Sequence, residues 1–322
     1  MKKLLAIIAL ISLTAHADQS GLMPNVNSAL NMPQAIGFNT LRVKPATELP
    51  VATGGAFRIV CTPSHMSYDD PIVFPNQPGA AHHHTFFGNT STNYASDLNN
   101  MVNIGNSTCK GGLANRSAYW VPSMIDTMTN AAVLPEKSII YYKTGYVPMG
   151  LVKPPPKGLR MIAGNMKGNS EATSSKAFYT CAGRTPFYGW KKSIPACNVG
   201  EYMGAMVEFP QCWDGVNLDA PDHKSHMAYS NKSLTTANKC PTTHPVGIPQ
   251  ISFNFSYKVA AGVDMSKWRL ASDNYIGAAG YSGHADWLSG WNASIMDRLV
   301  KNCLNKGVDC HASLLGDGYQ IY

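Results

Sequence analysis

Eight cysteines constrain this chain more than any other feature: Cys61, Cys109, Cys181, Cys197, Cys212, Cys240, Cys303 and Cys310. Their number is even, and the chain opens like an exported protein. Lys2 and Lys3 precede an apolar run from Leu4 to Leu13, and Ala15-His16-Ala17 has the small-x-small form of a cleavage site. The run is too short to span a bilayer, so residues 1–17 read as a signal peptide. In an oxidising compartment an even cysteine set reads as a disulfide framework. Eight cysteines allow about 105 pairings. Neighbour-to-neighbour closure is the simplest expectation: Cys61–Cys109, Cys181–Cys197, Cys212–Cys240 and Cys303–Cys310. A zinc–thiolate site is disfavoured because no C-x-x-C pair occurs.

The local patterns predict a mainly β protein. Short runs rich in aromatic and β-branched residues lie at 57–60, 84–87, 118–121, 138–142, 159–162, 177–180, 206–209 and 251–255, bounded by Gly, Pro and Asn. Ile251, Phe253 and Phe255 alternate with polar neighbours, the signature of a strand buried on one face. One segment has helical spacing, with Ile295, Leu299, Val300 and Cys303 recurring over 293–304. Asn292 or Ser294 is placed to cap its start, and Gly307 lies past its end. Together these predict a single large β-sandwich or jelly-roll-like domain with long loops and one C-terminal helix. We expect a signal over 1–17, an irregular lead-in over 18–50 and the domain over 51–322. The stretch 153–157, with three consecutive prolines, is a short linker or a stiff surface loop.

Charge narrows the partners. The formal net charge is +7. Loss of Lys2 and Lys3 leaves +5 (7 − 2), spread along the chain with no cluster longer than Lys191-Lys192. That is too little for a nucleic-acid footprint. No later segment has the apolar length of a membrane span. A secreted or periplasmic protein, acting as a monomer, is expected.

The histidines group. His82-His83-His84 form one set, and on a strand His82 and His84 share a face while His83 takes the other. A second segment runs from Asp214 through Asp219 and Asp222 to His223 and His226, in a turn constrained by Gly215 and Pro221. A third carries His284 and Asp286 after glycines at 277, 280 and 283, and reads as a mobile loop feeding a cleft. Imidazoles and carboxylates in such numbers can bind metal or divide acid and base roles. The bland alternatives are backbone-bonded histidines and aspartates that only close Asx-turns. Arg116 and Tyr119 add a cation beside aromatics.

The residues 70–75 (DPIVFP), 82–89 (HHHTFFGN), 115–122 (NRSAYWVP), 209–215 (FPQCWDG), 222–229 (DHKSHMAY) and 284–287 (HADW) resemble the DUF1996 family, a secreted domain of unknown function. The resemblance extends over roughly 50–315. Many fungal members are joined to WSC modules associated with wall carbohydrate, which implies a polysaccharide partner. It also implies an apolar residue at the middle of the histidine triplet, where this chain has His83, making His82 and His84 the working pair.

Three functions follow as expectations. The first is a hydrolase or lyase acting on extracellular or cell-wall polysaccharide. Its candidates are His82, His84, Arg116, Tyr119, Asp214, Asp219, Asp222, His223, His226, His284 and Asp286. Hydrolysis needs a carboxyl pair, and a lyase needs a cation and a base. The second is binding of a divalent metal through His82, His84, His226 or His284. The third is a noncatalytic carbohydrate-binding module presenting Trp120, Trp287 and Trp291.

Overall fold

The structure is a computed structural model that describes residues 26–322 apart from Lys137, Tyr275 and Ile276. The expected signal peptide lies outside the described residues. Ten strands build two antiparallel sheets. They are β1 (Ala56–Cys61), β2 (Pro63–Ser67), β3 (His84–Gly88), β4 (Ala118–Pro122), β5 (Ser138–Lys143), β6 (Arg160–Gly164), β7 (Ala177–Ala182), β8 (Tyr202–Glu208), β9 (Gln250–Lys258) and β10 (His284–Leu288). Sheet A has the order β7-β8-β9-β5-β1, and sheet B the order β2-β3-β4-β10-β6. The chain steps from one sheet to the other across Thr62, between β1 and β2.

Alternation explains why the sheets stack. Phe253, Phe255 and Tyr257 of β9 and Ile140 and Tyr142 of β5 meet Phe87, Tyr119, Met161 and Trp287 of sheet B in one continuous core. Phe253 joins the layers, with its ring centroid 5.3 Å from Phe87 and 5.7 Å from Tyr119. Fully burying a side chain of this size contributes about 2–3 kcal/mol. The mainly β sandwich is therefore the fold.

The cysteines pair neighbour to neighbour: Cys61–Cys109, Cys181–Cys197, Cys212–Cys240 and Cys303–Cys310. Among the described residues no helix is long and apolar enough to cross a membrane. The C-terminal helix α1 (Ala293–Leu299) is capped by Asn292, whose side chain accepts from the Ile295 amide. It continues through Val300–Leu304 in a wider turn closed by bonds five residues apart, such as Asn305 N–H to Val300 C=O. The triple-proline stretch is a loop held to the domain, since Lys153 N–H bonds to Gly247 C=O.

Two expectations change. The 277–286 segment does not stay a loop to its end: from His284 it is β10, paired on both sides with β4 and β6. Glycine-rich sequence before residue 284 hid a five-residue strand whose every member is buried. Trp120, Trp287 and Trp291 are at most 2% exposed and present no surface to a ligand. Trp291 instead donates its indole N–H to Tyr142.

Candidate metal centre

The face of sheet B turned away from the core is not open to solvent. Ile72, Phe86, Met101, Ala118, Trp120, Ile162 and Leu288 form a second apolar cluster there. On the same face His84 begins β3, while His284 and Asp286 sit two apart on β10. Asp286 lies opposite Trp120, and extending that register by two residues places Pro122 opposite His284. Pro122 is also the partner of His84. The two histidines therefore reach toward each other across Pro122, and their ring centroids are 6.0 Å apart. The chain before β3 supplies the rest. Asp70 and His82 lie at the two ends of a loop folded against this face, and both are buried.

Five donors thus converge. One ring nitrogen each from His82, His84 and His284 lie within 4.8 Å of one another, as do single donor atoms of Asp70, His84 and Asp286. His82 Nε2 is 3.2 Å from His284 Nε2, and His284 Nε2 is 3.9 Å from Asp286 Oδ2.

The tautomers are fixed from behind. His84 Nδ1–H donates to Asp69 C=O at 2.9 Å, and His284 Nδ1–H donates to Ser282 C=O at 2.8 Å. Both rings then present an Nε2 lone pair to the centre, the arrangement by which outer partners orient metal-binding histidines. Asp70 is oriented likewise. Its Oδ1 accepts the amides of Ile72 and Val73, which frees Oδ2 to face inward.

What remains unmatched is decisive. His84 Nε2 and both oxygens of Asp286 are buried with no hydrogen-bond partner, and Asp70 Oδ2 has only the Trp120 indole N–H beside it. Such orphans are rare in folded proteins and each costs about 1–3 kcal/mol or more. Burial pushes Asp286 well above the usual carboxylate range, and the neighbouring Asp70 pushes it further. Burial also raises Asp70. His84 falls to about 3 through burial, opposed by its bond to Asp69. His284 falls to about 3 through burial and the nearby His84. His82 falls well below its ordinary value for the same reasons. These imidazoles are neutral, which is the form that binds metal.

The other sequence candidates lie elsewhere. His83 points the opposite way, onto Ser123 Oγ at 2.9 Å. Tyr119 is in the core, its hydroxyl 2.6 Å from that of Tyr142. Arg116 precedes β4 at the end away from Pro122, with Nε bonded to Gly105 C=O. His226 has Nε2 committed to Arg160 C=O at 2.6 Å. Asp214 accepts the amides of Val216 and Asn217, and Asp222 those of Lys224 and Ser225, so both close turns. Asp219 pairs with His223 Nδ1 at 3.0 Å and with Arg160 at 3.2 Å. This segment borders the centre along the edge strand β6, where Lys224 Nζ bonds to Gly164 C=O. Asp70 is the donor that residue counting passed over. Its signal was local, an aspartate two residues before an isoleucine in a Pro-containing turn, twelve residues upstream of the histidine triplet.

Comparison with curated proteins and with solved structures gives no match. Residues 70–291 match the family described as Domain of unknown function (DUF1996), a span that begins at the Asp70 donor and takes in the other four. That match covers more than half of the sequence, and the chain belongs to the DUF1996 family.

Proposed function

We propose that the protein binds one divalent transition metal ion through Asp70, His82, His84, His284 and Asp286. The observation that carries this reading is a buried cluster in which His84 Nε2 and both Asp286 oxygens have no partner and the Nε2 atoms of His82 and His284 meet only each other. The spacing supports it. Two nitrogens bound to one ion at about 2.0–2.1 Å, at angles between octahedral and tetrahedral, lie about 2.9–3.4 Å apart. The His82–His284 separation of 3.2 Å falls inside that interval. His84 decides the count. Its Nδ1 is occupied by Asp69, so its single remaining lone pair serves one ion, and the two donor triads sharing it describe one centre. Three imidazoles argue against calcium, which takes oxygen ligands, and favour zinc, manganese, iron(II) or a neighbouring metal.

An enzyme acting on extracellular polysaccharide is the use we propose for that ion. The four carboxylates first considered for a paired acid–base mechanism do not assemble: Asp214 and Asp222 close turns, and Asp286 is buried. A metal held by Asp70, His82, His84, His284 and Asp286 would supply the missing chemistry, as a Lewis acid toward a sugar carboxylate or a water. The Asp219–His223 pair on the bordering loop is the proton-transfer group nearest the surface there.

Elemental analysis of purified protein is the test, expecting one equivalent of a transition metal and less than a tenth of that in His84→Ala and in Asp286→Ala. Absence of metal from folded wild-type protein after reconstitution with zinc, manganese and iron(II) would falsify the centre. Activity on a panel of wall and uronic polysaccharides, with and without chelator, then tests the enzymatic use. Activity indifferent to chelation sinks that part alone.

A further inference from the structure

Sheet A also has a face turned from the core, and among the described residues no second layer of chain covers it. There β7 presents Phe178, Thr180 and Ala182, β8 presents Gly204, and β9 presents Asn254 and Ser256, each alternating with core residues. Gly204 sits between Thr180 and Ser256 in the ladder. Its missing side chain opens a trough of about 200 Å³ on the sheet surface. A Cβ there would stand 3.3 Å from Thr180 Cγ2, so any larger residue fills the space. Trp190 forms the side wall and is 44% exposed, with Phe187 edge-on to it at 6.2 Å. Thr180 lines the trough with Cγ2 toward Gly204, its hydroxyl buried beneath the surface.

The chemistry of this surface selects among ligands. β8 and β9 are paired on both sides, so their backbone groups are spent and a peptide strand would find none to bond. An exposed indole over a shallow, mostly apolar floor suits a sugar ring, whose C–H face stacks there. The margins carry cations. Lys192 Nζ lies 4.2 Å above the Phe178 ring, Lys143 Nζ lies 5.0 Å from the Tyr141 ring centre, and Lys258 ends β9 on this face. Among the described residues none of the three is in a salt bridge. Lys192, Lys258 and Lys143 outnumber the exposed Glu136, whose amide bonds to Ser256 C=O at the margin, and this excess favours an anionic chain.

We propose that this face is a binding site for an acidic polysaccharide, with one sugar ring stacked on Trp190 over Gly204 and carboxylates met by Lys192, Lys258 and Lys143. The site is separate from the metal centre and does not depend on it.

Affinity electrophoresis through gels containing polygalacturonate, alginate or a neutral β-glucan tests the proposal, with anionic lipid vesicles assayed by co-sedimentation. Wild-type protein should be retarded by an acidic polymer and not by the neutral one. Trp190→Ala should weaken retardation at least tenfold and Trp190→Phe should restore most of it, with unchanged thermal midpoints as the folding control. Gly204→Val should act like Trp190→Ala. Chelated wild-type protein should bind as the untreated protein does, so failure of the metal reading leaves this measurement intact. Equal retardation by the neutral glucan, binding to vesicles alone, no binding, or full binding by Trp190→Ala overturns the proposal.

Discussion

The outer faces of the two sheets are built from the same architecture and used in opposite ways. Each sheet has five antiparallel strands and turns one face into the shared core. On sheet B the opposite face is roofed by the 70–82 loop and bordered by the 218–226 segment, and it gathers three imidazoles and two carboxyls able to ligate a metal. On sheet A it is left bare, with alanine, serine, asparagine and a glycine between an exposed tryptophan and scattered lysines. The difference shows what burial does to a polar group. On the bare face water satisfies whatever the protein does not, and the residues there are free to differ. Under the roof nothing does, so each donor needs a partner or it destabilises the fold.

The contrast makes graded predictions. The largest effect should come from emptying the centre. With free metal a thousandfold above its dissociation constant, binding contributes about 4 kcal/mol, so chelation should lower the calorimetric midpoint by roughly 8 °C for a chain of this size. An unchanged midpoint would mean that the roofed face holds no ion. Replacing both Cys212 and Cys240 by serine comes next. The bridge closes a loop of sequence separation 28 and pins the segment that borders β6, and its loss should cost about 3–4 kcal/mol in denaturant titrations. Metal content should hold, because all five donors lie outside that loop.

Asp286→Asn should move two readouts in opposite directions. It removes a buried carboxyl with no hydrogen-bond partner, so the metal-free protein should gain on the order of 1 kcal/mol, while metal affinity falls at least tenfold. A loss of stability in the metal-free state would show that the carboxyl has a partner after all. The smallest effect belongs to the bare face, where Ser256→Ala should stay within about 0.5 kcal/mol of wild type in the same titrations. A larger loss would mean that this face is also structural.

Much of this was legible in the chain, and unevenly. Alternation at Ile251, Phe253 and Phe255 announced β9, because a strand with one buried face writes a period of two into its sequence, while β3 and β4, buried on both faces, showed as aromatic and β-branched runs. β10 was not legible as a strand. His284-Ala285-Asp286-Trp287 does alternate, with Ala285 and Trp287 in the core, but its polar members follow a glycine-rich stretch and read as a loop. The separation of His82 and His84 from His83 followed from the pleat. The convergence of His82, His84, His284 and Asp286 depended on β4 lying between β3 and β10, a pairing that no local pattern records. Asp214, Asp222 and His226 looked alike in sequence, yet short-range turns and one backbone carbonyl occupy them.

The aiming of His84 and His284 has an evolutionary consequence. Each ring is steered by a main-chain carbonyl, at Asp69 and at Ser282, and not by another side chain. Those carbonyls keep their aim through the loops that carry them: Ser282 is fully buried with its hydroxyl on Asp273 Oδ1, and Asp69 Oδ1 accepts the Gly79 amide. A change at either position would redirect an imidazole by moving its loop, so these two side chains are constrained together with rings they never touch.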